Sequence, residues 1–221
     1  MSTADIIPLA RTIIPLSHQI LNKDIPSPSL HGCISGGMEN QELLLSMFGL
    51  RHRVFKQRLK WDVSSIDDLE IDQFDNDQTQ YIVTTDINNN VKGCVRLLPT
   101  TSPYMLSEIF PYLWQSEQPI PSSDSVRELS RFSFEKNADS KSYGFSQSVI
   151  RLLRNLVMYA QHNDISRYVF VTTTAIERML LIQGISINRV GEAIRIGKTD
   201  TTVIFMNINT KTYNALFNKT L

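Results

Sequence analysis

No stretch of this chain approaches the roughly 18 consecutive apolar residues that cross a membrane, so no membrane span is predicted. Charge of one sign is lacking too: 22 Lys and Arg balance 22 Asp and Glu. A dominant nucleic-acid footprint needs a basic excess, so nucleic acid is not expected as a partner. Cysteine is scarce. Cys33 and Cys94 show neither metal-ligand spacing nor a disulfide framework. That predicts no metal site and a reduced, cytoplasmic setting. The histidines His18, His31, His52 and His162 are scattered, which leaves a Ser-His-Asp hydrolase built on Ser130 with little support. A glycine-rich phosphate loop is also missing. Ser142-Tyr143-Gly144-Phe145-Ser146, ahead of the longest helical pattern, offers one glycine and makes a poor cradle for the pyrophosphate of coenzyme A.

What is present is ordinary globular composition, 42% hydrophobic and 20% charged over 221 residues, enough for one large domain with a substantial core. Ile6-Ile7-Pro8-Leu9 recurs as Ile13-Ile14-Pro15-Leu16, interrupted by prolines and Arg11 and preceded by no basic segment, so a secretory signal is not expected. Pro26, Pro28, Gly32, Gly36 and Gly37 read as a linker. Residues 1–38 are therefore expected to form a loosely docked extension and linker, and residues 39–221 a single domain.

From Met38 to Lys60 the period is helical, with Leu43, Met47, Leu50 and Val54 on one stripe and Leu44, Phe48, Arg51 and Phe55 beside it. Residues 62–79 are acidic and loop-like. Strands at Gln80–Asp86 and Val91–Leu98 are joined by Asn88-Asn89-Asn90, a hairpin signal. A short helix at Ser107–Gln115 and a strand at Val126–Glu135 follow. Then come a strong helix at Ser146–His162, a strand at Arg167–Thr173, and a helix from Thr174 to Gln183. That last helix opens on a Thr174–Glu177 capping box and is ended by Gly184. Strands at Ser186–Val190 and Thr201–Ile208 complete the sheet, with a helical turn from Thr210. Strands arriving first as a hairpin and then alternating with helices predict an α/β fold, a mixed sheet covered by helices on both faces.

Four clusters stand out because charges sit inside or beside apolar runs. They are Arg51…Phe55…Trp61, Asp72-Gln73-Phe74-Asp75, Arg96-Leu97-Leu98-Pro99 and Glu128-Leu129-Ser130-Arg131-Phe132. Desolvating an unpaired ion costs several kcal/mol, so such charges need partners. Two Asp, one Glu and three Arg in these settings predict a mixed-sign pocket for a ligand that carries both signs. Taken singly, each cluster has a plain structural reading: a satisfied buried Arg, an Asx turn, core aromatics. On a regular strand Glu128 and Ser130 share one face and Arg131 takes the other. Glu128 and Arg131 can serve one pocket only if a bulge lies between them.

Taken together, the clusters resemble the acyl-homoserine lactone synthases, the enzymes that make bacterial quorum-sensing signals. The resemblance extends through Leu106-Ser107-Glu108-Ile109-Phe110 and Val171-Thr172-Thr173-Thr174-Ala175-Ile176-Glu177-Arg178, and covers about residues 39 to 208 in order. It is nearest the short-chain branch of that family. It implies a three-layer α/β/α sandwich similar to the N-acetyltransferases. It also implies two substrates, S-adenosylmethionine and an acyl group on acyl carrier protein, with coenzyme A as an occasional donor. Lys60 stands where the family often has Gly, and Arg127 where it commonly has Trp.

On this resemblance the S-adenosylmethionine set is Arg51, Phe55, Trp61, Asp72, Asp75, Arg131 and Phe132. Asp72 is expected on the ammonium or ribose side and Arg131 at the carboxylate. Glu128 and Arg96 are the expected catalytic residues, Glu128 as the base that deprotonates the attacking amine. The second step, lactonisation, is intramolecular and draws its acceleration from orientation. No cofactor is expected, since S-adenosylmethionine is a substrate. Leu152 and Leu156 are expected to line the acyl pocket, with Thr172 or Thr173 bonding a substituent on the chain. Arg151 and Arg154, one turn apart, are expected to dock the acidic carrier. Two rival readings remain: an acyl-CoA-dependent N-acyltransferase without lactonisation, and a non-catalytic module that binds a nucleotide-like ligand.

Overall fold

The computed structural model describes residues 31–36, 40–76, 78–135 and 145–218. The first strand, β1 (His31–Ser35), pairs antiparallel with β4 (Gln80–Thr85), His31 opposite Thr84 and Ser35 opposite Gln80. These residues were expected to be linker. As a strand they cover a β4 edge whose amides and carbonyls would otherwise lack partners. The rest of the expected extension, residues 1–30 and 37–38, lies outside the described residues.

Helix α1 (Gln41–Arg51) carries both predicted stripes. Leu44, Met47, Phe48 and Leu50 are buried, and they pack with Tyr81, Val83, Val91 and Cys94 into one core cluster. Beyond Arg51 the period widens, and residues 52–58 form a π-helical segment in place of the continued α-helix. Such segments are rare and tend to mark functional sites.

The acidic stretch expected as loop contains a small antiparallel hairpin, β2 (Ser65–Ile66) and β3 (Leu69–Glu70). Its turn residues Asp67 and Asp68 both have positive φ, 48° and 63°, as the tight turn that suits strand twist requires. The predicted hairpin follows: β4, then β5 (Val91–Pro99). Asp86 organises the turn between them, its carboxylate accepting from the amides of Asn88 and Asn90 at 2.9 Å each.

The later elements are α2 (Met105–Glu108), β6 (Val126–Phe134), α3 (Gln147–His162), β7 (Arg167–Thr173), α4 (Thr174–Gln183), β8 (Ile187–Ile196), β9 (Thr199–Asn207) and α5 (Thr210–Phe217). The strand order of the seven-stranded sheet is β1-β4-β5-β6-β7-β9-β8. β6 and β7 are parallel, while β7/β9 and β8/β9 are antiparallel, so the sheet is mixed as predicted.

The chain divides into two compact units. Of the described residues, one unit holds those before Leu97 and those from Arg131 to the end of β6; the other holds Leu97–Ser130 and those from α3 to residue 218. In the second unit helices cover both sheet faces. Glu128, opposite Val169 on β7, reaches the amides that open α2. Tyr168, one residue earlier and pointing the other way, donates its hydroxyl to the Leu156 carbonyl of α3 at 2.8 Å. α3 presents the expected inward residues Leu152, Leu153, Leu156 and Ala160, all buried; Val149 is half-buried. α5 is tied to α3 by Arg154, and to α4 by Gln183, which donates to the Ala215 carbonyl at 3.0 Å.

Two local expectations shift. The cap of α4 is Thr173, whose hydroxyl accepts from Ile176 N, one residue before the predicted Thr174. Glu177 is therefore not a capping-box partner; its carboxylate pairs with Arg189 on β8. The stop at Gly184 is as predicted, with φ 92°, a conformation that glycine adopts without strain. β8 also runs on to Ile196, past the expected end at Val190. A register shift between Val190 and Ile194 interrupts its pairing. Gly191 sits in that shift with φ 69°, where an added Cβ would lie 2.4 Å from Gln115.

Candidate active site

All four clusters contribute to one assembly in the first unit, the last of them through Arg131. Arg51 donates to Glu70 at 2.5 Å and, through two nitrogens, to Asp75 at 2.8 and 2.7 Å. Arg96 donates to Asp72 at 2.6 and 3.1 Å and to Asp75 at 2.9 Å. Arg131 donates to Glu70 at 3.0 Å and to Asp72 at 2.6 Å. Followed around, these bonds form a closed ring that alternates in sign: Arg51, Glu70, Arg131, Asp72, Arg96, Asp75 and back. Each guanidinium bridges two carboxylates, and each carboxylate two guanidiniums. Bidentate, charge-assisted geometry of this kind is what repays the desolvation of buried ions.

Exposure around the ring is uneven. The side chains of Arg51, Arg96 and Glu70 are 0% exposed and Asp75 is 1% exposed. Asp72 at 9% and Arg131 at 11% form the accessible edge. Burial alone would raise the pKa of Asp75, but Arg51 and Arg96 outweigh it and hold the carboxyl well below the usual range. Tyr81 adds a hydroxyl to Asp75 at 2.8 Å. The Asp72 carboxylate accepts from Phe74 N at 2.9 Å, the Asx turn its spacing suggested.

Arg131 reaches the ring from an irregular strand. Its φ is 54° inside β6, a left-handed conformation that costs a non-glycine residue about 1–2 kcal/mol. The regular alternation of β6 is thus interrupted at Arg131. Backbone strain at such a position fits a side chain aimed for function.

An aromatic wall adjoins the ring. Phe55 and Trp61 stack with centroids 5.1 Å apart, and the Arg131 guanidinium lies 5.5 Å from the centre of Phe55. Phe55 is buried, and Trp61 is 51% exposed. The π-helical segment and the turn after it set this stack, through Leu59 N to Val54 O at 3.0 Å and Trp61 N to Phe55 O at 2.9 Å. Lys60 takes the turn with φ 58°. The lysine thus adopts the conformation that glycine favours, and the turn is kept. Lys60→Gly is expected to stabilise the fold by up to about 1 kcal/mol. The check is a higher urea midpoint at unchanged slope.

Glu128 belongs to the second unit. It is buried, and its two oxygens accept from Met105 N at 2.9 Å and Leu106 N at 2.7 Å. Below Glu128 the parallel ladder of β6 and β7 stops: pairing runs from Val126/Arg167 to Glu128/Val169, although both strands continue. Of the expected acyl-pocket residues, Leu152 and Leu156 are fully buried on α3. Thr172 lies on the Tyr168 side of β7. The Thr173 hydroxyl already accepts from Ile176 N as the cap of α4.

Phe132 packs edge-on against Phe134 at 5.1 Å, and no contact with the ring is seen for it among the described residues. Of the expected carrier dock, Arg154 donates to the Leu216 carbonyl at 2.6 Å and covers the Phe217 ring, so it also holds α5. Arg127 bonds the carbonyls of Asp124 and Val126. Among the described residues no cluster of His, Cys, Asp and Glu is arranged to hold a metal. Burial pushes the Cys94 thiol up to about 11, which suits a packing role.

Sequence reasoning missed Glu70 and Tyr81. Glu70 stands two residues before Asp72 in a run that reads as polar loop. Its alternation with Asp72 was the available signal.

A mixed α/β sheet with flanking helices, in which the parallel strands β6 and β7 part beyond Glu128, is the fold of the N-acetyltransferases. A solved N-acetyltransferase from Lactobacillus plantarum shares that fold at TM-score 0.54 and 14% identity, over 81% of this chain and 99% of that one. The autoinducer synthase family model matches residues 37–216. The chain is 39% identical over 174 residues to an acyl-homoserine-lactone synthase of Aliivibrio fischeri, covering 78% of this chain and 90% of the relative. The crystal structure of the acyl-homoserine lactone (AHL) synthase LasI superposes at TM-score 0.76 with 35% identity, covering 87% and 96% of the two chains. BjaI, a CoA-dependent acyl-homoserine lactone synthase solved with SAM and isopentyl-CoA, matches at TM-score 0.75 and 23% identity, over 84% and 86%. The chain belongs to the autoinducer synthase family, and its activity is that of an acyl-homoserine-lactone synthase, an acyltransferase.

Proposed function

We propose that the chain makes an N-acyl-homoserine lactone from S-adenosylmethionine and an acyl thioester carried on acyl carrier protein. The observation that carries this reading is the accessible edge of the ion ring. There a carboxylate, Asp72, lies 2.6 Å from a guanidinium, Arg131, beside an aromatic stack. S-adenosylmethionine presents the complementary set: an ammonium for Asp72, a carboxylate for Arg131, and a sulfonium and adenine for Phe55 and Trp61. The burial of Arg96 gives it a positioning role, since it acts on a ligand through Asp72 and Asp75.

Glu128 takes a proton from the substrate amine, whose nitrogen attacks the thioester carbonyl. The amide forms and the carrier thiol leaves. The carboxylate of the methionine moiety then attacks its own γ-carbon. The carbon–sulfur bond breaks, its electron pair stays on sulfur, and neutral methylthioadenosine departs. Every atom is accounted for without a metal or redox cofactor. Both substrates are cytoplasmic metabolites, so the enzyme is placed there; no described helix is long and apolar enough to cross a membrane.

Incubating the protein with S-adenosylmethionine and matched acyl-carrier and acyl-CoA thioesters tests the reading by mass spectrometry. Lactone plus methylthioadenosine, formed faster from the carrier thioester, is the expected result. Faster turnover of the CoA thioester would move the chain to the donor class of BjaI. Acylated product without lactone would leave a simple N-acyltransferase. Charge reversal at Arg151 is expected to raise KM for the carrier thioester several-fold with kcat unchanged. Arg154→Glu is a poorer probe, because it also frees α5. An unchanged KM in Arg151→Glu removes α3 as the dock.

A further inference from the structure

We infer that Glu70 sets the net charge of the ion ring, and thereby selects the sulfonium substrate over its uncharged thioether analogue. The inference rests on the lactone-synthase reading above and adds a specificity-determining residue to it. Glu70 stands on β3, ahead of Asp72 and Asp75, and its side chain is 0% exposed. A carboxylate so buried acts on a ligand through its partners. Those are Arg51, bonded through Nε at 2.5 Å, and Arg131, held through Nε at 3.0 and 3.2 Å and through Nη2 at 2.9 Å.

Its effect falls on the aromatic wall. The Arg131 guanidinium lies 5.5 Å from the centre of Phe55, which stacks on Trp61. The wall that takes a sulfonium therefore already carries a cation. Like charges repel, and partly buried ones are screened far less than exposed ones. Glu70 grips that guanidinium along its Nε–Nη2 edge, the bidentate geometry of a strong charge pair. With Glu70 the ring holds three guanidiniums and three carboxylates; without it, one positive charge is in excess. S-adenosylmethionine bears an ammonium, a carboxylate and a sulfonium, so it enters with one net positive charge. S-adenosylhomocysteine has the same ammonium, carboxylate and adenosine, but a neutral sulfur and no net charge. The sum of the ring therefore weighs on the first ligand far more than on the second.

The test measures Kd for both ligands by isothermal titration calorimetry in the native protein, Glu70→Gln, Arg51→Met and the double variant Arg51→Met/Glu70→Gln. Thermal unfolding checks that each is folded. The three variants leave the ring with one excess positive charge, one excess negative charge and none. A unit charge acting across roughly 10 Å of partly buried protein changes the affinity of a cation on the order of tenfold. Preference for S-adenosylmethionine over the thioether should thus fall about tenfold in Glu70→Gln, rise in Arg51→Met, and return to within about threefold of native in the double variant. A role in packing, or in aiming Arg131, would weaken both ligands together and leave the preference unmoved. That result in Glu70→Gln, or a double variant whose preference does not return, overturns the inference. Should Glu70→Gln not fold, Arg51→Met against the double variant isolates the same carboxylate, and equal preference in those two overturns it. Native protein that binds neither ligand would sink the reading beneath.

Discussion

Arg96→Met is expected to cost about 3–5 kcal/mol of folding stability, the penalty for stranding buried charge. Arg96 is wholly buried and holds Asp72 and Asp75 by three hydrogen bonds of 2.6 to 3.1 Å. Urea denaturation at neutral pH measures the loss. Asp72→Asn, at the accessible edge, should behave differently. It removes one charge-assisted partner of a ligand ammonium, worth about 1.5–3 kcal/mol, or roughly 10- to 150-fold in kcat/KM for S-adenosylmethionine. The burden should appear mainly in KM, in a protein that still folds. Were the KM for S-adenosylmethionine unmoved in a folded Asp72→Asn variant, the edge would not be the binding site.

The same ring predicts an acid limb. Asp75 is held well below the usual carboxylate range, burial being outweighed by Arg51 and Arg96. A carboxyl depressed in the folded state contributes stability above its unfolded pKa of about 3.9 and loses it as pH falls toward the folded value. Stability should therefore be flat above about pH 5 and decline below about pH 4. In Arg96→Met the decline should start at the same pH but be smaller in total and end at higher pH, because the depression of Asp75 is smaller.

The second large effect is expected at Glu128. Glu128→Gln should lower kcat by about 10²–10⁴, the range for loss of a positioned base. It should also lose about 1–3 kcal/mol of stability. One of its amide partners, Met105 N or Leu106 N, would then face an NH₂ group in place of an acceptor. Two readouts separate the roles. Stability reports the anchor on α2, and kcat at saturating substrates reports the base. A folded Glu128→Gln variant with full turnover would reduce Glu128 to the anchor.

Where the sequence carries a periodic signal, the fold follows it. The α1 stripe, the β4–β5 hairpin, α3, β7 and the glycine that ends α4 all lie where alternation or turn chemistry places them. Where structure comes from partners distant in the chain, local signals fail. β1 forms against the edge of β4, and its Gly32 reads as linker. The widening of the helix after Arg51 leaves no mark in residues 52–58. Thr173 and Thr174 are equally good caps by composition, and geometry at the end of β7 chooses the first. In the site, the charges embedded in apolar runs were legible because burial of an ion demands an explanation. Glu70 was not, since its neighbours on the chain are polar and its burial is imposed by Arg51 and Arg131.

A closed ring has no ends. Deleting any one ion turns it into an open chain of five whose two terminal members, alike in sign, each lack a neighbour. Tolerated change at these six positions should therefore come in oppositely charged couples, such as Arg96 with Asp75, rather than singly. Sequence drift around the ring can be free while the ring itself moves only by paired exchange.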